Sequence, residues 1–147
     1  MKKIYMDNCC FNRMFDDRSY PNVYLEHNSV MLILKLIECG ELDLLGSDIL
    51  RKEISDTPDL AKRKKLQLIY SLNSFEIIVT KDILRRAREI REQSNIRLKD
   101  SIHLACAESV NADVLLTTDK KFANNANRIP AKIRVMNPIT WLMEVVS

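Results

Sequence analysis

The segment Val114-Leu115-Leu116-Thr117 limits the fold more than any other part of the chain. It is strand-length and apolar without alternation, the pattern of a strand covered on both faces, as parallel strands between helices are. Strand-like and helix-like stretches alternate around it. Lys3 to Met6 is a short β-prone run that ends on Asp7. Leu25, Val30, Ile33, Leu34 and Ile37 recur at helical spacing from Val23 to Cys39, and Gly40 supplies a stop. Asp43 to Leu45 reads as a second short strand. Ser47 or Asp48 then caps a helix through Ile49, Leu50 and Ile54, closed by Thr57-Pro58. Pro58 lies near the start of a further helix reaching Leu72, with Leu66, Ile69 and Tyr70 on its inner side. Phe75 to Val79 is dense in β-formers, and Thr80 caps a helix with the stripe Ile83, Leu84, Ala87 and Ile90. A helix from about Leu98 to Val110, a strand from Ile133 to Met136 and a last helix carrying Ile139, Leu142 and Val145 after Pro138 complete the pattern. With two glycines, no repeat and no low-complexity linker, the alternation predicts one α/β domain over 1–147 with a mostly parallel sheet.

Composition narrows the class. An apolar fraction of 46% and a charged fraction of 29% are those of a globular protein and not of a disordered one. The longest apolar stretch, Val30 to Ile37, is interrupted by Lys35 and is too short to cross a bilayer. The start of the chain lacks the apolar run and small-residue cleavage site of a signal peptide, so a cytoplasmic protein without a membrane partner is expected. Cys9 and Cys10 are adjacent, Cys39 and Cys106 stand in apolar patterns, and neither His27 nor His103 lies near a cysteine pair. Buried free thiols are expected, not disulfides or a zinc site. The net charge of +3 hides two basic clusters, Lys62-Arg63-Lys64-Lys65 and Arg85, Arg86, Arg88 and Arg91. Each can meet phosphates, or form a solvated helix face.

Open parallel sheets place their sites at the carboxyl ends of strands. Asp7 follows the first strand and Asp119 follows the strand Val114 to Thr117. Asp100 falls in the first turn of a helix, where the macrodipole favours a carboxylate, and Glu53 lies on the helix opened by Ser47-Asp48. Singly, Asp100 and Asp119 read as helix caps and Glu53 as a surface residue.

The wording around the acids changes their weight. Ile4-Tyr5-Met6-Asp7-Asn8, Ser47-Asp48-Ile49-Leu50-Arg51-Lys52-Glu53, Lys99-Asp100-Ser101-Ile102-His103-Leu104-Ala105 and Leu115-Leu116-Thr117-Thr118-Asp119-Lys120-Lys121-Phe122 follow in order. Together they resemble the motifs of the PIN-domain family, in its VapC-like ribonuclease branch, and the tail Val135-Met136-Asn137-Pro138 is similar to the family's closing segment. The glutamate motif is the weakest of the set, and the last two in tandem are the most specific. Asn8 stands where the family commonly has a hydroxyl residue.

The resemblance implies a three-layer α/β/α sandwich with a mostly parallel central sheet. It also implies a metal-dependent endoribonuclease that hydrolyses phosphodiester bonds in RNA with Mg2+ or Mn2+. Asp7, Glu53, Asp100 and Asp119 would form the metal and catalytic set, with Asp7 and Asp100 as direct ligands. Hard cations prefer such oxygen donors, and clustered acids need a cation to stay ionised. Asn8 and Thr118 are candidates to orient those carboxylates. Lys62, Arg63, Lys64, Arg85 and Arg88 are candidates for RNA phosphates. His103 is expected to buttress its helix, and Glu26 is a weaker candidate ligand. A small antitoxin and a homodimeric state are implied partners. The competing expectation is a catalytically idle PIN-like module that binds RNA or a protein.

Overall fold

In the computed structural model, which describes residues 1–146, the central strand is β1 (Lys2–Met6). It pairs in parallel with β2 (Leu42–Ser47) on one side and β4 (Val114–Leu116) on the other. β3 (Phe75–Ile77) adds beyond β2 and β5 (Arg134–Met136) beyond β4, giving the order β3-β2-β1-β4-β5 with every pair parallel. The chain therefore builds outward in one direction from β1 and then resumes on its other side at β4. The β1–β4 junction is the point where strand order reverses, and a crevice opens there at the carboxyl ends of the strands.

Side chains alternate across the sheet and define two cores. Ile4, Met6, Leu44, Val114 and Leu116 point to one face, packed by Val30, Ile33 and Leu34 of α2 (Pro21–Glu38), Leu50 and Ile54 of α3 (Asp48–Ser55), Leu66 of α4 (Leu60–Tyr70) and Trp141 of α8 (Pro138–Val146). Tyr5, Leu45, Leu115 and Val135 point to the other. There they meet Ile83, Ala87 and Ile90 of α5 (Lys81–Glu92), Leu104 and Ala105 of α6 (Leu98–Ser109) and Phe122 of α7 (Lys120–Ala126). The result is a three-layer α/β/α sandwich, and the run at 114–117 is covered on both faces as its composition requires.

Several boundaries differ from the sequence reading. α2 begins at Pro21, which takes the first helical turn where its missing N–H costs nothing. α4 starts close to Pro58 as expected, with the Asp59 carboxylate accepting the Lys62 N–H at 3.0 Å, but ends at Tyr70 instead of Leu72. β3 stops at Ile77 because Asp48 draws the Val79 N–H out of the ladder, at 3.3 and 3.4 Å from its two oxygens. Two short helices, α1 (Asn8–Asn12) and α7, carry too few turns to show an apolar stripe. A single 3-10 turn, Arg13–Phe15, follows α1. Leu84 and Val145 are exposed, and Trp141 in place of Val145 anchors the last helix. Gly40 (φ 78°) ends α2, letting the Glu41 N–H reach the Leu36 carbonyl at 2.9 Å. Cys10 and Cys106 are buried, Cys9 is half-buried and all four cysteines are free; Cys39 is exposed just past α2. No helix among the described residues is long and apolar enough to cross a membrane.

Candidate active site

A cleft of about 640 Å³ opens at the crevice beside β1, and all four expected acids, Asp7, Glu53, Asp100 and Asp119, line it. Asn8, Cys9, Asn12, Arg97, Lys99 and His103 share the lining. Each acid arrives on a different element. Asp7 is the first residue past β1, held by its N–H to the Leu116 carbonyl at 3.2 Å. Glu53 rides α3, Asp100 the first turn of α6, and Asp119 the link from β4 to α7.

Asp7 is the most enclosed, only 5% exposed. Its Oδ1 accepts the Cys10 N–H at 3.3 Å, capping α1, and the Cys9 thiol at 2.7 Å. Burial pushes the Asp7 pKa well above the ordinary carboxylate value, and the neighbouring Cys9 charge pushes the same way. The Cys9 thiol is held down at about 5, chiefly by its contact with the Cys10 thiol and then by Asp7, Thr117 and Thr118. At 2.7 Å the carboxylate and the thiol compete for the proton between them, which pushes their affinities for it in opposite directions. The sulfur also lies 3.3 Å from the Thr117 hydroxyl and accepts the Thr118 N–H at 3.3 Å.

Asp100 and Asp119 are bridged by one cation. Arg97 Nη2 lies 3.4 Å from Asp100 Oδ2 and 3.3 Å from Asp119 Oδ2, on a side chain that is 77% exposed. Burial raises the Asp100 pKa, while Arg97 opposes the rise. Asp119 also caps α7, its Oδ1 accepting the Lys121 and Phe122 N–H groups at 3.0 and 3.2 Å. The capping role read from the sequence and a place in the cleft thus belong to the same residue. Glu53 Oε1 is bonded to His103 Nε2, and His103 Nδ1 to the Tyr5 hydroxyl at 2.5 Å. His103 does buttress α6, and it does so against the cleft.

Other expected residues sit as follows. Asn8 lines the cleft, with its Oδ1 accepting from Asn12 Nδ2 at 3.0 Å. At Thr118 it is the backbone N–H that meets Cys9, whereas the hydroxyl beside Asp7 and Cys9 belongs to Thr117. Lys62, Arg63, Lys64, Arg85 and Arg88 are not part of the lining. Lys62 lies over the Phe15 ring, Arg63 bonds the Thr57 carbonyl, Arg85 pairs with Asp82 and Arg88 reaches the Leu84 carbonyl. Glu26 is buried and not part of the lining, held between Arg13 Nε at 2.9 Å and Asn137 Nδ2 at 2.5 Å. Arg97, Lys99 and Cys9 were not singled out by the sequence. The signals that mark them are local: Arg97 falls one helical turn before Asp100, and Cys9 two residues after Asp7.

The donor set fits a hard divalent cation. Four carboxylates line one cleft, two are pushed toward protonation by burial, and a guanidinium already balances two. The four carboxylates line that cleft without closing to a single coordination sphere; among the described residues the group whose candidate ligand atoms all lie within 4.8 Å of one another is Asp7, Cys9 and Cys10. Cys10 is buried and its thiol donates to the Leu116 carbonyl at 3.3 Å, so Asp7 and Cys9 are its cleft-facing members.

Comparisons agree with this architecture. The PIN domain profile matches residues 4–128. No curated protein sequence matches the chain. Among solved structures, VapBC2 of Rickettsia felis bound to a promoter DNA fragment is similar at a TM-score of 0.57 and 19% identity, over 91% of this chain and 98% of that one. VapC20 of Mycobacterium tuberculosis, described as a sarcin-ricin loop cleaving toxin, gives 0.59 and 13% over 82% and 93%. A toxin–antitoxin complex from Klebsiella pneumoniae gives 0.57 and 21% over 92% and 97%.

Proposed function

Because this chain belongs to the PIN-domain family, we propose that it is a metal-dependent endoribonuclease, with 1–147 forming a single nuclease domain. The observation that carries the reading is the convergence of Asp7, Glu53, Asp100 and Asp119 on one cleft at the strand-order reversal. Asp7 and Asp100 would be the direct ligands of Mg2+ or Mn2+, with Glu53 and Asp119 completing the set or holding its waters. Such a cation supplies a nucleophilic water at neutral pH and polarises the scissile phosphodiester. The protein's own part is placement. α1, capped by Asp7, holds that carboxylate still, α3 and α6 bring in Glu53 and Asp100, and the Asp119 cap fixes the fourth acid. Arg97 and Lys99, at the cleft, are the side chains best placed to receive an RNA phosphate.

The likeness to VapBC2 and to the Klebsiella toxin–antitoxin complex supports a biological role as the toxin of a toxin–antitoxin pair, acting in the cytoplasm. A small antitoxin and a second copy of the chain are the proposed protein partners. The test is cleavage of a mixed RNA substrate with Mg2+ or Mn2+ present and then removed by chelation. Asp7→Asn and Asp100→Asn should each lower the rate by at least about 100-fold while keeping the fold. Undiminished cleavage by both variants refutes the proposal. Calorimetric titration separates it from an idle binding module, which would show no carboxylate-dependent uptake of Mn2+.

A further inference from the structure

Glu53 carries the weakest sequence motif of the four acids, yet it is tied to the interior by a continuous chain of hydrogen bonds. Its carboxylate meets His103 Nε2, and His103 Nδ1 lies 2.5 Å from the Tyr5 hydroxyl. That hydroxyl lies 2.7 Å from Ser47 Oγ, which accepts the Leu50 N–H at 3.1 Å as the cap of α3. Tyr5 and Ser47 are fully buried and His103 is 2% exposed, so each polar atom must find its partner within the chain. The path begins and ends on α3, and passes through β1 two residues before Asp7 and through α6 one turn after Asp100.

Counting protons fixes its direction. Ser47 Oγ can accept from the Leu50 N–H and still hold a free lone pair, but the acceptor beside its own buried proton is the Tyr5 oxygen, so the Ser47 hydroxyl donates to Tyr5. The Tyr5 proton then goes to His103 Nδ1, leaving Nε2–H to donate to Glu53. The opposite tautomer would turn the bare Nε2 lone pair toward the carboxylate. An imidazolium would reverse the Tyr5 bond and leave the Ser47 proton without an acceptor in a site that water does not reach.

We infer that His103, locked in its Nε2–H tautomer by Tyr5 and Ser47, is a positioning residue that holds the Glu53 carboxylate in the cleft, and that Tyr5 acts through it. The inference rests on Glu53 being one of the metal-binding acids. Its logic is that of the outer partners that orient metal ligands, whose loss costs about 10- to 100-fold in metal affinity.

Two measurements on the full chain test it. The first is the 15N spectrum of the imidazoles, of which there are only two, His27 and His103. His103 should show a protonated Nε2 and a bare Nδ1, and Tyr5→Phe should shift the Nδ1 resonance. An Nδ1–H tautomer or an imidazolium in the parent protein overturns the inference, whether or not the variant folds. The second is a double-mutant cycle of Tyr5→Phe with Glu53→Gln, read as Mn2+ affinity in the absence of RNA. If Tyr5 acts through Glu53, the double variant should bind about tenfold more tightly than the product of the single effects. Additive effects overturn it. A protein that takes up no Mn2+ removes the metal-nuclease reading instead, and the spectrum then decides the hydrogen-bond chain alone.

Discussion

Asp7→Asn separates the cost of the metal site from its use. Asparagine caps a helix as well as aspartate does, so the bond to the Cys10 N–H survives the change. What disappears is the negative charge on a carboxyl only 5% exposed. Taking a carboxylate out of water costs several kcal/mol. The bonds from the Cys10 N–H and from the residue 9 side chain, a thiol in the parent and a hydroxyl in a Cys9→Ser background, return part of that, at about 1.5 kcal/mol or more each to a charged acceptor. A residual of about 1–3 kcal/mol remains in the metal-free protein. The folded pKa of Asp7 lies above its unfolded value, so its contribution to stability is complete at low pH and is lost as pH rises through the folded value. Asp7→Asn lacks that loss, and its advantage over the parent should grow with pH. The Cys9 thiol, lowered to about 5, runs in the opposite direction and gains stability above that pH. Placing both proteins in a Cys9→Ser background removes it. Thermal melts with chelator at pH 7.5 should then put the variant above the parent by roughly 3–10 °C, at about 2–4 °C per kcal/mol. Adding Mn2+ to about 100 times its Kd should raise only the protein with Asp7, by about 2.7 kcal/mol. A variant that melts below the parent in chelator, or gains equally from Mn2+, refutes the reasoning.

The Cys9 thiol should alkylate with iodoacetamide at mildly acidic pH faster than exposed Cys39, because thiolate is the nucleophile. Cys10 and Cys106 should stay unlabelled, both being buried and Cys106 pushed up to about 12. Peptide mass spectrometry over time reads all four sites, and Cys39 labelling first would count against the assignment. Gly46→Ala should destabilise by about 1–3 kcal/mol in chemical denaturation, since a new Cβ would lie 2.5 Å from the Tyr70 hydroxyl oxygen and 2.8–2.9 Å from its ring. Tyr70 cannot simply step aside, because its hydroxyl lies 2.9 Å from the Ser47 carbonyl and 2.7 Å from Glu76. An unchanged denaturation midpoint would show that the ring moves freely.

The fold was legible where a segment has only one way to hide its side chains. Val114 to Thr117 needs cover on both faces, and the amphipathic stripes of Val30–Ile37 and Ile83–Ile90 supply the layers that give it. Segments whose ends depend on distant partners were less legible. β3 ends where it does because Asp48, on a different element, takes a backbone N–H, and no local pattern in Phe75–Val79 carries that information. α1 and α7 are capped by Asp7 and Asp119, acids that stand out in the sequence although the short helices they start carry no periodic signal.

The site divides along the same line. Asp7 and Asp119 sit at strand ends, so the parallel topology alone sends them to one edge, and the residue one helical turn after Asp100 was already a marked histidine. Glu53 had no such local signal, since its place depends on three contacts contributed by β1, α6 and its own helix cap. Arg97 was missed for the opposite reason. An arginine before a helix looks like solvent-facing charge, and its role emerges only when Asp100 and Asp119, 19 residues apart in sequence, are both within 3.4 Å of one guanidinium nitrogen. The basic clusters that sequence made conspicuous hold local partners such as Asp82 and Thr57, whereas Arg97 faces a pair of acids that would favour a divalent ion in its place. Charge density along the chain and distance from the acids thus point to different cations: the basic clusters lie outside the cleft lining, whereas Arg97 lies within it, and attraction between opposite charges falls with their separation.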